Sequence, residues 1–173
     1  MTNSVDVIVI GGGHAGVEAA WAASSLLPNG TIAFVTMDPT KIGVMSCNPA
    51  IGGLGKGQIV REIDALGGLM ARAIDATGIM FKMLNTSKGP AVWGPRAQAD
   101  KDAYRDEVQR LIATRTNIEI IEGIVDDIIV KDGQVVGVML EEELHAKAVV
   151  LTTGTFMRGL MHTGDEQAKG GRV

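Results

Sequence analysis

The sequence predicts an α/β fold, a Rossmann-like domain in which helices flank a parallel sheet and an antiparallel meander is added to it. An apolar run, Val5–Ile10, ends in a cluster of glycines, as a buried parallel strand does before a tight turn. An Ala-rich helical segment and a second short apolar strand follow, which together make a β-α-β unit. Alternating apolar runs on either side of Asp132-Gly133 predict the meander. We treat residues 1–173 as part of one such domain.

The glycine cluster has the spacing G-x-G-x-x-G and lies between the first strand and the first helix. Gly11 permits the tight turn, Gly13 lets the backbone approach a pyrophosphate, and Gly16 lets the helix pack close to the strand. The pyrophosphate would lie at the positive end of the helix. The alternative is a tight turn without a ligand. We favour dinucleotide binding, and the candidate residues are Gly11, Gly12, Gly13, His14, Ala15 and Gly16.

Composition limits the class of protein. With 173 residues, of which 46% are apolar and 21% charged, the chain can bury one sizeable core. A net charge of −4 argues against a broad polyanion-binding face, although basic residues could cluster locally. One cysteine, Cys47, excludes an internal disulfide. Because the N-terminal sequence lacks a basic secretion signal and no apolar run reaches membrane-spanning length, we expect a cytoplasmic protein without a membrane segment.

The first helix is predicted over Ala15–Leu27 and the second strand over Thr31–Thr36. Small and apolar side chains are expected to face the sheet, namely Ala19, Ala20, Ala22, Ala23, Leu26 and Leu27. The usual fingerprint places an acidic residue at the end of the second strand, about 20 residues after the glycines, to bind the ribose. Here Thr36 holds that place and Asp38 follows two residues later. This departure argues against a plain NAD dehydrogenase.

A glycine-dense, non-periodic stretch, residues 37–57, contains MSCNPAIGGLGKG. A loop of this length inside a compact domain indicates a binding site. It is not a P-loop, because Ala50 stands where the signature needs Gly and Gly57 where it needs Ser or Thr. Cys47 lies in polar surroundings, so we favour a position near the cofactor over a buried structural thiol. A covalent catalytic role for Cys47 is the other interpretation.

The rest of the chain continues the alternation of helices and strands. A helix is predicted over Gln58–Ile79, an irregular stretch follows over LNTSKGPAVWGPRAQ, and a helix with an apolar stripe is predicted over Asp100–Arg115. The irregular stretch carries Lys88, Trp93, Arg96 and Gln98, and we favour an ordinary surface loop over a phosphate contact. The predicted strands are Ile118–Ile121, Ile124–Val130, Val135–Leu140, Leu144–His145 and Ala148–Thr152. No His or Cys spacing indicates a metal site.

Five blocks of the sequence resemble one family, the tRNA uridine 5-carboxymethylaminomethyl modification enzymes (GidA/MnmG, or glucose-inhibited division protein A). The blocks are DVIVIGGGHAG, MSCNPAIGGLGKG, LGGLMARAID, NTSKGPAVWGPRAQAD and AKAVVLTTGTFMRG. They span almost the whole chain, and SCNPAIGG is far more specific than the glycine fingerprint alone. Family members are several-fold longer, so the resemblance implies an N-terminal part of an FAD-binding domain that is incomplete at the C-terminus.

The resemblance implies that FAD is bound through Gly11 to Gly16 and that the backbone at Val125 meets the adenine edge. It implies the installation of an aminomethyl-type group at C5 of the wobble uridine of tRNA. NADH would reduce the flavin, methylenetetrahydrofolate would donate the one-carbon unit, and glycine or ammonia would supply the amine. The partners implied for the whole protein are tRNA, an MnmE-type GTPase and a second copy in a homodimer.

Two other functions stay open from the residues alone. One is another FAD-dependent oxidoreductase or a folate- and flavin-dependent tRNA methyltransferase. The other is a nucleotide-binding module without catalysis. The SCNPAIGG and GPAVWGPRAQ blocks favour the tRNA-modification family over both.

Overall fold

A computed structural model describes residues 4–154 and 159–169. The strands are β1 (Ser4–Ile10), β2 (Ile32–Thr36), β3 (Ala50–Gly52), β4 (Gly78–Leu84), β5 (Gly94–Ala99), β6 (Ile118–Glu122), β7 (Asp127–Lys131), β8 (Gln134–Met139), β9 (Glu143–Leu151), β10 (Leu160–Thr163) and β11 (Glu166–Lys169). The helices are α1 (His14–Leu26), α2 (Lys56–Ala65), α3 (Met70–Thr77) and α4 (Lys101–Ala113). No helix in these residues is long and apolar enough to cross a bilayer.

The main sheet has six strands in the order β6-β2-β1-β9-β8-β7. Four neighbouring strands, β6, β2, β1 and β9, are parallel to one another. Val9 of β1 lies opposite Phe34 of β2 on one side and Val150 of β9 on the other. β7 and β8 form the antiparallel meander, with Ile128 opposite Val138. The predicted α/β class with a parallel sheet and a meander is therefore confirmed.

β9 belongs to both parts of this sheet. Its first residues pair antiparallel with β8, and the strand then continues parallel to β1 as far as Leu151. The prediction of two separate strands, Leu144–His145 and Ala148–Thr152, is wrong, because Ala146 and Lys147 continue the β conformation between them. Lys147 is exposed and pairs with Asp6 at 2.7 Å, so its charge does not interrupt the strand.

Apolar side chains fill both faces of the main sheet, since successive strand residues point to opposite sides. On one face, Val9 and Phe34 join a core with Val17 of α1 and Val108 of α4. On the other face, residues of β1 and β2 pack with the meander, in a cluster formed by Val5, Ile8, Ala33, Val35, Val138 and Leu144.

The buried side of α1 differs from the expectation. Its buried residues are Gly16, Val17, Ala20, Trp21 and Ser24. The expected contacts of Ala22, Leu26 and Leu27 are wrong, because all three are exposed and Leu26 is 80% exposed. Trp21 takes the deep position instead, since its indole Nε1 donates to the carbonyl of Gly67 at 2.9 Å. The stripe on α4 is confirmed by its buried residues, Tyr104, Val108 and Ile112.

Residues 50–99 form a separate small sheet with two helices, here named the β3–β5 lobe. Its strands run antiparallel in the order β3-β5-β4. The single helix predicted over Gln58–Ile79 is wrong. Gly67 has φ +85°, a left-handed conformation that ends α2, and the chain changes to strand at Gly78. The stretches expected to be irregular contain β3 and β5.

β10 and β11 pair as a hairpin whose turn includes Gly164 with φ +63°. Gly164-Asp165 therefore turns a local hairpin and does not begin a strand of the main sheet.

Candidate cofactor-binding site

The glycine loop lies where the loops after three parallel strands converge. It leaves the carboxyl end of β1, and β1 has β2 on one side and β9 on the other, so this is the point where the strand order reverses. Gly11 N–H donates to the carbonyl of Val35 at 2.9 Å. From the end of β9, the Thr152 hydroxyl donates to the carbonyl of Ile10 at 2.6 Å. Ligands of open α/β sheets bind in this crevice.

At three of the four glycines, contacts within the protein leave no room for a side chain. Gly11 has φ +109°, and a Cβ there would collide with the Thr152 carbonyl. A Cβ on Gly16 would collide with the Gly11 carbonyl, and one on Gly12 would come within 2.8 Å of the Thr36 hydroxyl. Gly13 differs, because its φ of −75° suits any residue and a Cβ would meet no protein atom within 4 Å. The space beside Gly13 is open where a pyrophosphate would approach.

The first turn of α1 is available to an anion. Gly13 is the N-cap and has no side chain to bond the free N–H groups, and no acidic residue lies in the first turn. The N–H groups of His14, Ala15 and Gly16 therefore point toward the open space at the positive end of the helix. The backbone here fits the diphosphate of a dinucleotide.

His14 begins α1 and is half-buried. Its ring meets Tyr104 edge to face, with the centroids 5.9 Å apart. Burial lowers the pKa of His14 below the ordinary value of 6.5, and the carboxylate of Glu18 opposes this only in part. The ring is thus neutral at pH 7, and the positive potential at the helix start comes from the backbone.

Thr36 and Asp38 explain the departure from the usual fingerprint. Thr36 ends β2 and is buried. The Asp38 carboxylate accepts from the Thr40 backbone N–H at 2.9 Å and from the Thr40 hydroxyl at 2.6 Å. These two bonds lower the pKa of Asp38. Asp38 therefore caps the turn after β2, and we assign no ribose contact to it or to Thr36.

Cys47 is exposed and lines a cavity of about 440 Å³ between the glycine loop, the loop after β2 and α2. His14 and Asn48 line the same cavity. The structure thus brings the SCN segment and the start of α1 together at one crevice. Its volume lies within the range of small-molecule sites.

Val125 lies in the segment between β6 and β7 and is half-buried against the cluster that contains Val35. The preceding Gly123 N–H donates to the carbonyl of Thr36 at 2.9 Å, so this segment passes the carboxyl end of β2. Val125 does not line the cavity beside Cys47. Its contact with an adenine ring stays a prediction.

Two residues at this crevice, Thr152 and Arg96, were not predicted from the sequence to lie at the site. Thr152 packs against Gly11 and Gly16, and the only sequence signal was its place at the end of an apolar strand. Arg96 lines the cavity with Cys47, although the sequence favoured a surface loop there. Among the described residues, no three His, Cys, Asp or Glu side chains form a cluster that could hold a metal ion.

Comparisons with known proteins agree with the fold described above. The family model for glucose inhibited division protein A matches residues 6–173. A relative from Granulibacter bethesdensis, the tRNA uridine 5-carboxymethylaminomethyl modification enzyme MnmG, is 58% identical over 97% of this chain and 27% of its own length. The crystal structure of Aquifex aeolicus GidA superposes with a TM-score of 0.90 at 53% identity, covering 99% of this chain and 28% of that one.

A probable FAD-dependent monooxygenase of Pseudomonas aeruginosa, PqsL, superposes with a TM-score of 0.60 at 16% identity, over 88% of this chain and 43% of that one. This likeness shows the fold alone.

The fold and the glycine site define a Rossmann-like dinucleotide-binding domain of the kind found in flavoproteins. Within that class, the chain belongs to the glucose-inhibited division protein A family. It spans a little over a quarter of the length of the relatives that it matches.

Proposed function

We propose that this chain supplies the FAD-binding part of an enzyme that modifies C5 of the wobble uridine in tRNA. The observation that carries the proposal is the open space at Gly13 beside the uncapped first turn of α1, in a chain that is 58% identical to a tRNA uridine modification enzyme. The bound flavin supplies the redox chemistry of the reaction.

The residues of the chain bind and orient this cofactor. Gly11 to Gly16 hold the pyrophosphate, and the backbone at Val125 contacts the adenine. The loop with Cys47 and Asn48 shapes the flavin pocket, because it lines the cavity that begins at His14. A flavin ring in this cavity would be shielded from water on the side of α2.

For the whole enzyme we propose NADH as the reductant and methylenetetrahydrofolate as the one-carbon donor. We further propose an MnmE-type GTPase as partner, a homodimer as the assembly and the cytoplasm as the location. The reductant, the one-carbon donor, the partner and the assembly follow from the resemblance of the five sequence blocks to the tRNA uridine modification enzymes, and the location follows from the expectation drawn from the sequence.

The test uses the full-length protein. The purified protein should show flavin absorbance, and its gene should restore the modified wobble uridine in tRNA from cells that lack the corresponding enzyme, as read by nucleoside mass spectrometry. A colourless protein that restores the nucleoside would contradict the FAD assignment. A flavoprotein that restores nothing would favour a different oxidoreductase, and a protein that does neither would favour a module without catalysis.

A further inference from the structure

The cavity beside Cys47 holds two positive side chains. Lys56, the first residue of α2, and Arg96, in the middle strand of the small sheet, both line it. Among the described residues, no Asp or Glu lines it. His14 lines it too, but its lowered pKa leaves the ring uncharged at pH 7. Since the whole chain carries 20 acidic residues against 16 Lys and Arg, a cavity with positive side chains alone departs from its average surface.

Arg96 lies between two very different neighbours in the small sheet. In the antiparallel register it stands opposite Lys82 of β4 on one side and opposite Gly52 of β3 on the other. Side chains directly opposite each other share a face of the sheet, so Lys82 repels the guanidinium while Gly52 has no side chain to cover it. Gly52 also lines the Cys47 cavity. The guanidinium is therefore available to an anion on the β3 side of the sheet.

The protein does not neutralise either cation. Among the residues that the structure describes, neither Lys56 nor Arg96 forms an ion pair. The cofactor does not need them, because the pyrophosphate is assigned to the start of α1 and an oxidised flavin ring is uncharged. Another wall of the cavity is apolar, formed by Val60, Ile63 and Met70. Charges beside an apolar wall are screened less than charges in open water, so the two cations favour a small anion in the cavity.

The modification named for the relative from Granulibacter bethesdensis contains such an anion. A carboxymethylaminomethyl group ends in a carboxylate, which one methylene joins to the amine nitrogen. The amine that delivers this piece is therefore an amino acid without a side chain, which is glycine. Ammonia in its place gives an aminomethyl group without the carboxylate. The carboxylate distinguishes the two amines, and two positive side chains that attract it repel ammonium, the form of ammonia that prevails at neutral pH.

We propose that Arg96 and Lys56 determine the choice of amine, by binding the carboxylate of glycine in the Cys47 cavity and by repelling ammonium. Arg96 suits this role because a guanidinium can donate to both oxygens of a carboxylate, and Lys56 adds a second positive charge. The inference rests on the proposed function and names the residues that make its site specific for an amino acid.

The test compares the two products that the full-length protein forms. Variants are produced in cells that lack the corresponding enzyme and do not process the installed group further, and nucleoside mass spectrometry gives the ratio of carboxymethylaminomethyluridine to aminomethyluridine. Arg96→Gln and Lys56→Gln should each lower this ratio by about 10- to 100-fold, because a charge-assisted contact with the carboxylate is lost. Arg96→Lys should keep much of the ratio, since the charge remains. Lys88→Gln is the matched control, because Lys88 is an exposed lysine of the same lobe that does not line the cavity.

A second readout uses the purified full-length protein under conditions in which the parent is active. The glycine concentration that gives half-maximal product formation should rise by about 10- to 100-fold in Arg96→Gln. The corresponding concentration of ammonium should stay the same or fall, because a positive charge that repels it is gone. A merely structural role of Arg96 would change both concentrations in the same direction. Lys56 is exposed at the start of α2, so Lys56→Gln decides the question even if Arg96→Gln does not fold.

A lowered product ratio in the two cation variants, with the parent ratio in Lys88→Gln, supports the proposal. An equal fall of both nucleosides, or the loss of both, overturns it, because the charges then serve a reactant common to the two amines, such as the folate or the RNA. Loss of flavin from Arg96→Gln also overturns it, since that charge then serves the cofactor. Failure of the proposed function is seen separately, because the parent itself would then lack flavin or form neither nucleoside.

Discussion

The carboxylate of Glu18 accepts the backbone N–H of Met70 at 2.6 Å and that of Leu69 at 3.0 Å. Glu18 belongs to α1, and the two amides begin α3, about 50 residues later in the chain. α3 has no cap from its own N-cap residue, Leu69. A side chain from the glycine-loop helix therefore caps a helix of the β3–β5 lobe and joins the lobe to the cofactor site.

Glu18→Ala should lower the free energy of unfolding by about 1 to 2 kcal/mol, because two partly buried N–H groups lose their acceptor. Glu18→Gln should cost less, since the amide oxygen still accepts one bond. Urea denaturation measures both. Glu62→Ala is the control, because Glu62 is an exposed glutamate of α2. Equal effects of Glu18→Ala and Glu62→Ala would show that the cap contributes nothing.

Gly13 and Gly16 should respond differently to the same substitution. Gly13→Val should abolish FAD retention while leaving the stability of the FAD-free protein within about 1 kcal/mol of the parent, because the new side chain meets open space. Gly16→Val should destabilise the fold itself, since its Cβ would collide with the Gly11 carbonyl.

Flavin absorbance and thermal melting separate the two effects. Parent-like flavin content in Gly13→Val would contradict the assignment of the pyrophosphate to this loop. A stable, folded Gly16→Val would contradict the packing role of Gly16.

Cys47→Ser tests the two interpretations of the exposed thiol. If Cys47 only lines the flavin pocket, FAD stays bound and formation of the modified uridine falls in part. We expect this result. Asn48→Ala is the comparison variant, because Asn48 lines the same cavity but its amide side chain is not nucleophilic. Complete loss of product in Cys47→Ser with normal flavin content would instead show a covalent role.

The glycine loop was predictable from sequence because it depends on local geometry. The spacing of Gly11, Gly13 and Gly16 between a strand and a helix is a short-range pattern. The structure places Gly11 in the turn after β1, Gly13 at the N-cap of α1 and Gly16 in the first turn of that helix, against Gly11. Parallel pairing of β1 and β2 followed from the same apolar runs.

The β3–β5 lobe was not predictable in the same way. β4 reads GIMFKML, and five of its seven residues are exposed, so no alternation of apolar and polar residues marks it as a strand. By contrast, β3 pairs with β5 between residues far apart in sequence, with Gly52 opposite Arg96, and the bond from Glu18 to Met70 is also long-range. Arg96 reaches the Cys47 cavity through this pairing, which no local pattern reveals.

The stability of the FAD-free protein should depend on pH through His14. Burial lowers its folded pKa below 6.5, so the unfolded chain binds more protons at pH values between the two. The stabilisation that neutral, buried His14 contributes to the folded state is fully present above pH 6.5 and is lost as the pH falls through its lowered pKa. His14→Gln should remove this part of the slope. Identical slopes in the parent and His14→Gln would contradict the prediction.

The edge of β9 should make these 173 residues self-associate when they are produced alone. From Ala146 to Leu151, β9 pairs with β1 on one side and has no partner strand on the other within residues 4–154 and 159–169. Leu151 is 48% exposed at this edge. An unpaired strand with apolar side chains is a template for pairing with another chain.

Sedimentation and thermal melting of the 173-residue chain check this expectation. Leu151→Lys should reduce self-association, because a lysine at a strand edge opposes pairing. Lys131→Leu is the reciprocal control, placed at the end of the edge strand β7. Burial of each large apolar side chain contributes about 1.5 to 3 kcal/mol to the free energy of unfolding. Exposing even a few of them therefore removes much of a typical stability of about 5 to 15 kcal/mol. A monomeric chain with a sharp cooperative melt and tightly bound FAD would overturn the expectation that the exposed edge of β9 drives self-association.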